Sequence, residues 1–392
     1  MKRLKLILSL AFLVAFAAVG FSQGTVEGLA LAMATPAATD VEAIAKWAGK
    51  YDRTMIMQML NGLDVFRDLT VDRNVSRYGK LLPKFTAEAG LRPLDTNVEE
   101  NGRKERTFGG RKLFVYDCMK LFKVIPEDLR ESFLADMLQP GARREPFAQW
   151  FWSREMEKLA SEINDNFYDS EYHADAADYS AAATYTAGDY IKFTDDNYYK
   201  CVTNTSAGES PTTHAAKWEQ VNDTVCFNGP GKIIADEITA SNITPITTGA
   251  ITEDATDGAF DQLREMYTSM TTAHKSKRGA ALVSHSVFEK YIASELAKFG
   301  SSVANASMGN GRKYIYGTNN RWELRPCSWI TGERIIMDLE NKNLRVGTSI
   351  SGDRGPRIGK VVETVHGYKT SAKFLLGFEI SDLESLYVND QV

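Results

Sequence analysis

The stretch "AEAGLRPLDTNVEENGRKERTFGGRKLFVYDCMKLFKVIPEDLRESFLADM" (residues 87–137) decides the fold. Its middle, Asp95 to Arg106, is too polar and too long for a tight turn. Thr107 to Leu121 then alternates through Leu113, Val115 and Asp117, the pattern of a half-buried strand. A second short β-like run lies just upstream, after Ser76. Together they predict an extended arm or a long hairpin. Such an element has little stability of its own and needs a partner surface. Pro126 then opens a helix, "PEDLRESFLADML", with acids in the first turn, where the helix dipole favours them.

Working outward, "EPFAQWFWSREMEKLASEINDNFY" runs without Pro or Gly after Pro146. Its apolar side passes through Phe147, Phe151, Leu159, Ile163 and Phe167, with Arg154, Lys158 and Glu162 opposite. It predicts a long amphipathic spine helix. Towards the N-terminus, "DVEAIAKWAGKYDRTMIMQMLNGLDVF" places Asp40 as an N-cap ahead of Ile44, Trp47 and Tyr51 at helical spacing. Residues 172–225 differ in character: they are rich in Thr, Ala, Tyr and Asp, with short β runs broken by Gly, Asp and Pro. A small all-β module is expected there. Beyond it the chain is mixed. "DGAFDQLREMYTSMTTAH" predicts a helix capped by Asp257, and "SHSVFEKYIASELAKFG" a helix closed by Gly300. Strands follow at "RKYIYG", "WELRPCSWI", "RIIMDL", "LRVGTSI" and "KVVETVHGYKTSAKFLLGFEI".

The totals exclude some classes of function. A chain of 392 residues has room for two or three domains. Charged residues at 25% with a net charge of −5 give no whole-protein field to hold nucleic acid. Met1 to Gln23 resembles a secretory signal: basic residues first, an apolar run from Leu6 to Phe21, then Gly20 and Ser22 at cleavage spacing. Cys118, Cys201, Cys226 and Cys327 are widely spaced, without the paired spacing of a zinc site. Export would allow a Cys201–Cys226 disulfide, but the reading adopted is four separate thiols, mostly buried.

Catalytic patterns are missing. The five histidines are scattered, and there is no H-E-x-x-H, nucleophile elbow or phosphate loop. "NGPGKI" and "RIGKVV" each carry Gly-Lys without the other loop residues, and read as turns entering strands. "TEDATDGAF" has too few ligands for a calcium loop and reads as a turn and helix cap. No catalytic, cofactor-binding or metal-ligating residue is assigned, and the chain is expected not to be an enzyme.

The order of elements resembles that of the major capsid proteins of tailed phages, the HK97-like fold. "GLRP", "GGRKL" and "IPEDL" within residues 87–137 carry the likeness of the extended hairpin running into the peripheral domain. "LRPCSWITGERIIMDLENKNLRVGTSISGD" (residues 324–353) resembles the later axial segment, and "FLLGFEISDLESLYVND" (374–390) the C-terminal strand. The resemblance implies an α+β fold with these parts: an apolar leader at 1–23, an N-terminal arm and helix at 24–75, the extended loop at 76–112, the peripheral domain at 113–171, an inserted all-β module at 172–225, and the axial domain with return strands at 226–392. It implies hexamers and pentamers of an icosahedral shell around double-stranded DNA, with portal, scaffold or decoration proteins as partners. It places the chain in a virion assembled in the host cytoplasm. Arg103, Lys104, Arg106, Arg111 and Lys112 are the expected contacts of the arm with a neighbouring subunit.

"YTAGDYIKFTDDNYYKCVTNTSAGESPTTHAAKW" (residues 185–218) resembles a small chitin-binding type of carbohydrate module. The likeness rests on Tyr185, Gly188-Asp189, Tyr199-Lys200-Cys201, Pro211 and Trp218. Val202 and Thr203 stand where surface tryptophans are usual, so Trp218 is expected in the core. Tyr198 and Tyr199 are the candidates for contact with a surface glycan. An exported carbohydrate-binding protein is therefore the alternative. It accounts for residues 1–23 and 172–225, but not for the hairpin, the spine helix or the C-terminal third.

Overall fold

The computed structural model describes residues 54–76, 78–87, 106–124, 147–300, 308–309, 312–339, 343–349, 355–364 and 367–389. The signal-like segment, the helix capped by Asp40, the arm tip with Arg103 and Lys104, and "PEDLRESFLADML" lie outside the described residues. The described residues fall into two compact units. The smaller comprises Leu121–Arg154 and Ile358–Ala372, the larger Arg53–Lys120, Glu155–Arg357 and Lys373–Val392. Among the described residues no helix is long and apolar enough to cross a membrane.

In chain order, residues 54–61 are helical, followed by helix α1 (Asp64–Asp68) and strand β1 (Thr70–Asp72). Strands β2 (Lys80–Ala87) and β3 (Arg106–Leu113) pair as an antiparallel hairpin, and β4 (Tyr116–Val124) follows. The expected single strand from Thr107 to Leu121 is thus broken at Phe114-Val115, where the chain turns a corner. Helix α2 (Phe147–Asn166) is the expected spine, burying Phe151, Leu159 and Ile163, with Phe167 just past its end.

Strands β5 (Tyr190–Lys192), β6 (Tyr198–Cys201) and β7 (Trp218–Gln220) make a three-stranded sheet of their own. Helix α3 (Pro230–Thr239) comes next, so "NGPGKI" enters a helix and not a strand. Pro230 takes the first helical position, where a missing N–H costs nothing and its fixed φ suits the helix.

Helix α4 (Ala259–Ser269) is capped by Gly258 and not, as expected, by Asp257. Asp257 lies at a φ of 55°, and its N–H donates to Asp261 Oδ2 at 3.2 Å. A Cβ at Gly258 would sit 2.2 Å from the Asp254 carbonyl oxygen, which explains the glycine. Strand β8 (Gly279–Val283) leads into helix α5 (His285–Phe299). Ser284 Oγ caps α5 by accepting from the Val287 N–H at 3.3 Å, and Gly300 closes it at a φ of 77°.

The remaining strands are β9 (Met308–Gly309), β10 (Arg312–Tyr314), β11 (Trp322–Pro326), β12 (Ile335–Leu339), β13 (Leu344–Gly347), β14 (Arg357–Ile358), β15 (Val362–Thr364), β16 (Gly367–Ile380) and β17 (Leu386–Val388). They build two sheets. One runs β17-β12-β8-β11-β10-β9, with β8 parallel to β11 and antiparallel to β12. Its inner face packs on α4 and α5 through Phe260, Leu263, Tyr291, Val283, Trp322 and Ile335, the main core of the larger unit. Strand β12 is buried along its whole length. Asp338 on it is fully buried, and neither carboxylate oxygen has a hydrogen bond of ordinary geometry. Burial pushes its pKa up to about 7, against weaker opposing contacts from Asn343 and nearby amides. Glu295 of α5 and Lys313 of β10 form a buried ion pair in the same layer.

The other sheet contains β1, β13, β16 and β14 in that order, with β15 and β4 also on β16. "CSW" tethers α1 to this region. Ser328 Oγ donates to Asp64 Oδ2 at 2.6 Å, and Trp329 Nε1 donates to Asp68 Oδ2 at 3.3 Å. In the smaller unit the rings of Phe122, Trp152, Phe151 and Tyr368 meet edge to face at 5.4–6.0 Å. Strand β15 there pairs with Gly367–Lys369.

Candidate assembly interface

The hairpin β2–β3 belongs to no larger sheet: among the described residues its two strands pair only with each other. Strand pairing divides its side chains between two faces, because directly opposed residues point the same way. Lys80, Leu82 and Lys84 share one face with Leu113, Arg111 and Gly109. Leu81, Pro83 and Phe85 share the other with Lys112, Gly110 and Phe108.

The first face is rooted in the body. Leu82 and Leu113 are buried with Val75. Lys80 pairs with Asp72. Lys84 Nζ lies 2.6 Å from Asp382 and 3.1 Å from Glu384. Arg111 reaches Glu237 at 2.5 Å and Glu379 at 2.8 Å. Burial pulls the Arg111 guanidinium down, but the charge of Glu379 and the hydrogen bonds to Glu237 and Glu379 outweigh it and raise its pKa. Burial raises the Glu379 carboxyl above the ordinary carboxylate range despite Arg111. A cavity of about 200 Å³ opens beside these groups, lined also by Tyr116, Asn228 and Asp236. Its carboxylates are already paired, Glu237 and Glu379 with Arg111 and Asp236 with Lys232 at 3.1 Å.

The second face is bare. Leu81 is 55% exposed, Phe85 54% and Phe108 82%. Phe85 and Phe108 are directly opposed, their ring centroids 5.0 Å apart. Side chains this apolar and this exposed, on a sheet whose edges are open among the described residues, have the character of a protein-docking surface.

Backbone contact explains why the hairpin leaves the body where it does. Gly347 of β13 and Gly377 of β16 are partners in register. A Cβ on Gly377 would lie 1.9 Å from the Phe114 carbonyl oxygen, and one on Gly347 would lie 2.8 Å from Val115 Cγ1. Two opposed glycines make a bare patch on the sheet, and the Phe114-Val115 corner rests on it. The corner also shifts the strand parity. Odd positions 111 and 113 face inward before it, and even positions 118 and 122 are buried after it.

Of the five cations expected to touch a neighbouring subunit, Arg111 is held inside its own chain, because it shares parity with buried Leu113. Lys112, one residue on, is exposed on the bare face. Arg106 opposes Ala87 at the far end of the paired strands. Sequence reasoning missed Lys84 and Lys80 as anchors; their i, i+2, i+4 spacing with Leu82 was the available signal.

The region 172–225 turns its rings inward. Ile191, Cys201 and Trp218 form its core, flanked by Tyr179, Tyr185 and Tyr199. Trp218 is buried as expected, and its Nε1 donates to the Glu209 carbonyl at 3.1 Å. Gly188, at a φ of 102°, and Asp189 make the expected turn, with Asp189 Oδ2 accepting from the Thr186 N–H at 2.7 Å. Both glycan candidates are engaged within the chain: Tyr198 donates to the Ala174 carbonyl and Tyr199 to Asp195, each at 2.9 Å. The two ends of the region meet in a neck. The Glu171 N–H donates to the Thr224 carbonyl at 2.7 Å, and the Gly229 N–H to the Ser170 carbonyl at 2.7 Å. Lys232 holds Glu171 at 2.7 Å, and His173 stacks on Tyr190 with centroids 3.6 Å apart.

All four cysteines are free thiols, three of them buried. Cys118 Sγ donates to the Tyr116 carbonyl and Cys226 Sγ to the Asn222 carbonyl, each at 3.7 Å. Among the described residues no cluster of three or more His, Cys, Asp or Glu is arranged to hold a metal ion.

No family model matches the chain, and no curated protein matches it. Among solved structures it is similar to the procapsid of satellite phage P4 containing the size determination protein, at 8% identity and a TM-score of 0.47 over 86% of this chain and 97% of that one. It is also similar to the capsid of the Myoviridae phage XM1, at 10% identity and a TM-score of 0.45 over 83% of this chain and 90% of that one. A third is a virus-like particle from Pyrococcus furiosus, at 9% identity and a TM-score of 0.38 over 87% and 98%.

Proposed function

We propose that this chain is the major capsid protein of a tailed double-stranded DNA phage, a shell subunit that assembles into hexamers and pentamers. The observation that carries the reading is the division of the hairpin into an anchored face and a bare aromatic face. A two-stranded hairpin is barely stable alone. Here its root is fixed by five ion-pair contacts, while Leu81, Phe85 and Phe108 are left for another molecule. That is the design of an arm laid across a neighbour. A closed ring repeats such a contact head to tail, each subunit offering a different patch from the one it receives. The motifs at residues 87–137, 324–353 and 374–390 support the same reading.

In this reading Lys112 and Arg106 meet acids of the neighbour, with Arg103 and Lys104 beside them, and Arg111 does not. Residues 172–225 are an insertion, since their ends meet in a neck and their core is their own. Glycan binding by that insertion has no supporting observation, because its aromatic rings are used in packing. The enclosed DNA is held without sequence preference, and the virion is where the chain resides.

The test is electron microscopy of the protein from Gly24 onward at high concentration, with Phe85→Asp/Phe108→Asp as a comparison. Rings, tubes or shells from the parent and folded monomers from the variant are expected. A parent that stays monomeric when co-expressed with its neighbouring phage genes overturns the reading, as does a variant that assembles normally.

A further inference from the structure

The chain is acidic overall, with a net charge of −5, yet two of its turns carry only positive charge. No Asp or Glu lies between Glu265 and Glu289, or between Glu295 and Glu323. The turn before β8 holds His274, Lys275, Lys277 and Arg278, and the turn before β11 holds Arg321. The fold brings the two together. Strands β8 and β11 are adjacent and parallel with Gly279 opposite Trp322, so Arg278 and Arg321 stand side by side where the strands begin. The Gly279 N–H donates to the Arg321 carbonyl at 3.1 Å. A Cβ on Gly279 would lie 2.6 Å from both the Trp322 ring and the Asp338 carbonyl oxygen, so glycine is what permits this approach. Arg321 Nη1 donates to the Ser276 carbonyl at 3.1 Å, tying the second turn to the middle of the first. A short helical turn, Thr272–Lys275, is fixed behind it. His274 Nδ1 and the Tyr387 hydroxyl are 2.7 Å apart, and Lys275 Nζ donates to the Thr268 carbonyl at 2.5 Å. Asn319 and Asn320, exposed at left-handed φ of 57° and 56°, lie next to Arg321.

Lys277, Arg278 and Arg321 are exposed, and none of them pairs with a carboxylate among the described residues. The nearest acid along the chain, Glu323, is held by Arg325 at 2.8 Å. No large apolar side chain is exposed in residues 268–278 or 317–321. A protein partner is marked by such an anchor, and single-stranded nucleic acid by exposed rings on which its bases stack. Cations, hydroxyls and amides without either are the groups that meet phosphate oxygens along a duplex. We propose that Lys277, Arg278 and Arg321, with Asn319 and Asn320 beside them, form a site for the phosphate backbone of double-stranded DNA. Each arginine presents a planar fork that matches phosphate oxygens, and Lys277 adds a point charge. The site reads no bases. The choice of duplex DNA as the polyanion rests on the shell reading, whereas the site itself belongs to the folded chain and is measured without assembly.

The experiment is fluorescence anisotropy of two labelled duplexes of unrelated sequence, titrated with the full chain kept unassembled by dilution, over a range of KCl concentrations. Both duplexes should bind alike, with a slope of log K against log salt of about −3 for three phosphate contacts. Lys277→Gln/Arg278→Gln should weaken binding equally for both duplexes and reduce the slope to about −1. Neither side chain makes a hydrogen bond or ion pair among the described residues, so the fold should be kept, which circular dichroism checks. Lys158→Gln removes the same type of charge from the exposed face of α2 and should leave binding unchanged. Absence of binding at low salt overturns the proposal, as does a double variant that binds like the parent. Polyglutamate that competes as well as unlabelled duplex at equal charge also overturns it, and assigns the patch to an acidic protein. A chain that forms no shell can still pass this test, and one that forms shells can still fail it, so the two readings fall separately.

Discussion

The hairpin and the region 172–225 handle aromatic side chains in opposite ways. In the region 172–225, Tyr179, Tyr185, Phe193, Tyr199 and Trp218 meet one another at 5.3–6.4 Å around a three-stranded sheet. In the hairpin, Phe85 and Phe108 meet each other across the strand pair and each is more than half exposed. Three strands with long connecting loops can close over a small core, whereas two strands cannot. A small sheet must either enclose its rings or offer them to a partner. The first arrangement makes a self-sufficient module, and the second makes an arm whose stability is completed elsewhere.

The largest effect that tests this contrast is at Trp218. Its indole closes the core of the region and satisfies its N–H on Glu209. Trp218→Ala should cost that region about 3–5 kcal/mol. Amide exchange should show β5, β6 and β7 opening while β8 and β12 stay protected. If all of them open together, the region is not self-sufficient and the contrast fails.

Next in size is the root of the hairpin. Arg111→Ala leaves Glu237 and Glu379 half-buried without their cation. Breaking such a pair should cost about 2–3 kcal/mol, less than in a dry interior because Arg111 keeps some solvent contact. Faster exchange at Leu82 and Leu113 should report it, with β6 unaffected. Arg111→Lys should recover only part of the loss, because an ammonium does not span two carboxylates as a guanidinium does.

Much of this contrast was legible in the sequence, and the illegible part has a physical pattern. Helices α2, α4 and α5 follow from apolar spacing, and Gly300 from the left-handed conformation that ends a helix. Trp218 was readable as core because neighbouring positions lacked the tryptophans of a binding platform. The role of Arg111 was not read. It needed the parity of Leu113 carried back two residues, and a charge run invites a reading as solvent-facing. The parity shift at Phe114-Val115 could not be read at all. It depends on Gly347 and Gly377, more than 200 residues away and brought opposite each other only by the fold. Asp257 failed as a cap for a local reason: the close approach of Asp254 made Gly258 the only residue that fits.

Acid should separate the two regions more gently. Glu171 in the neck is held below its ordinary value of 4.5: burial opposes ionisation, but the hydrogen bond and charge of Lys232 prevail. Its contribution to stability is present above pH 4.5 and is lost as pH falls through the lowered folded value. Glu379 at the hairpin root is raised above 4.5 by burial. In the window just above 4.5 the folded chain therefore binds the extra proton, and stability from this group falls as pH rises. Urea melts across pH 3–7 should show Glu171→Gln removing the acid-side loss and Glu379→Gln removing part of the opposite slope. Equal slopes from the two variants would mean that neck and root are not electrostatically distinct.

The smallest effect in the isolated chain is the most informative about the hairpin. Phe108 is 82% exposed, so Phe108→Ala removes little buried area and should change monomer stability by about 0.5 kcal/mol or less. A core phenylalanine cut to alanine costs about 3–5 kcal/mol. If Phe108 behaves like a core residue in the monomer, the bare face is covered within the chain and the comparison with Trp218 collapses. If the monomer is indifferent but sedimentation shows a weakened oligomer, the ring is buried only in the assembly. The missing core of the hairpin then belongs to a neighbouring molecule, as that of the region 172–225 belongs to itself.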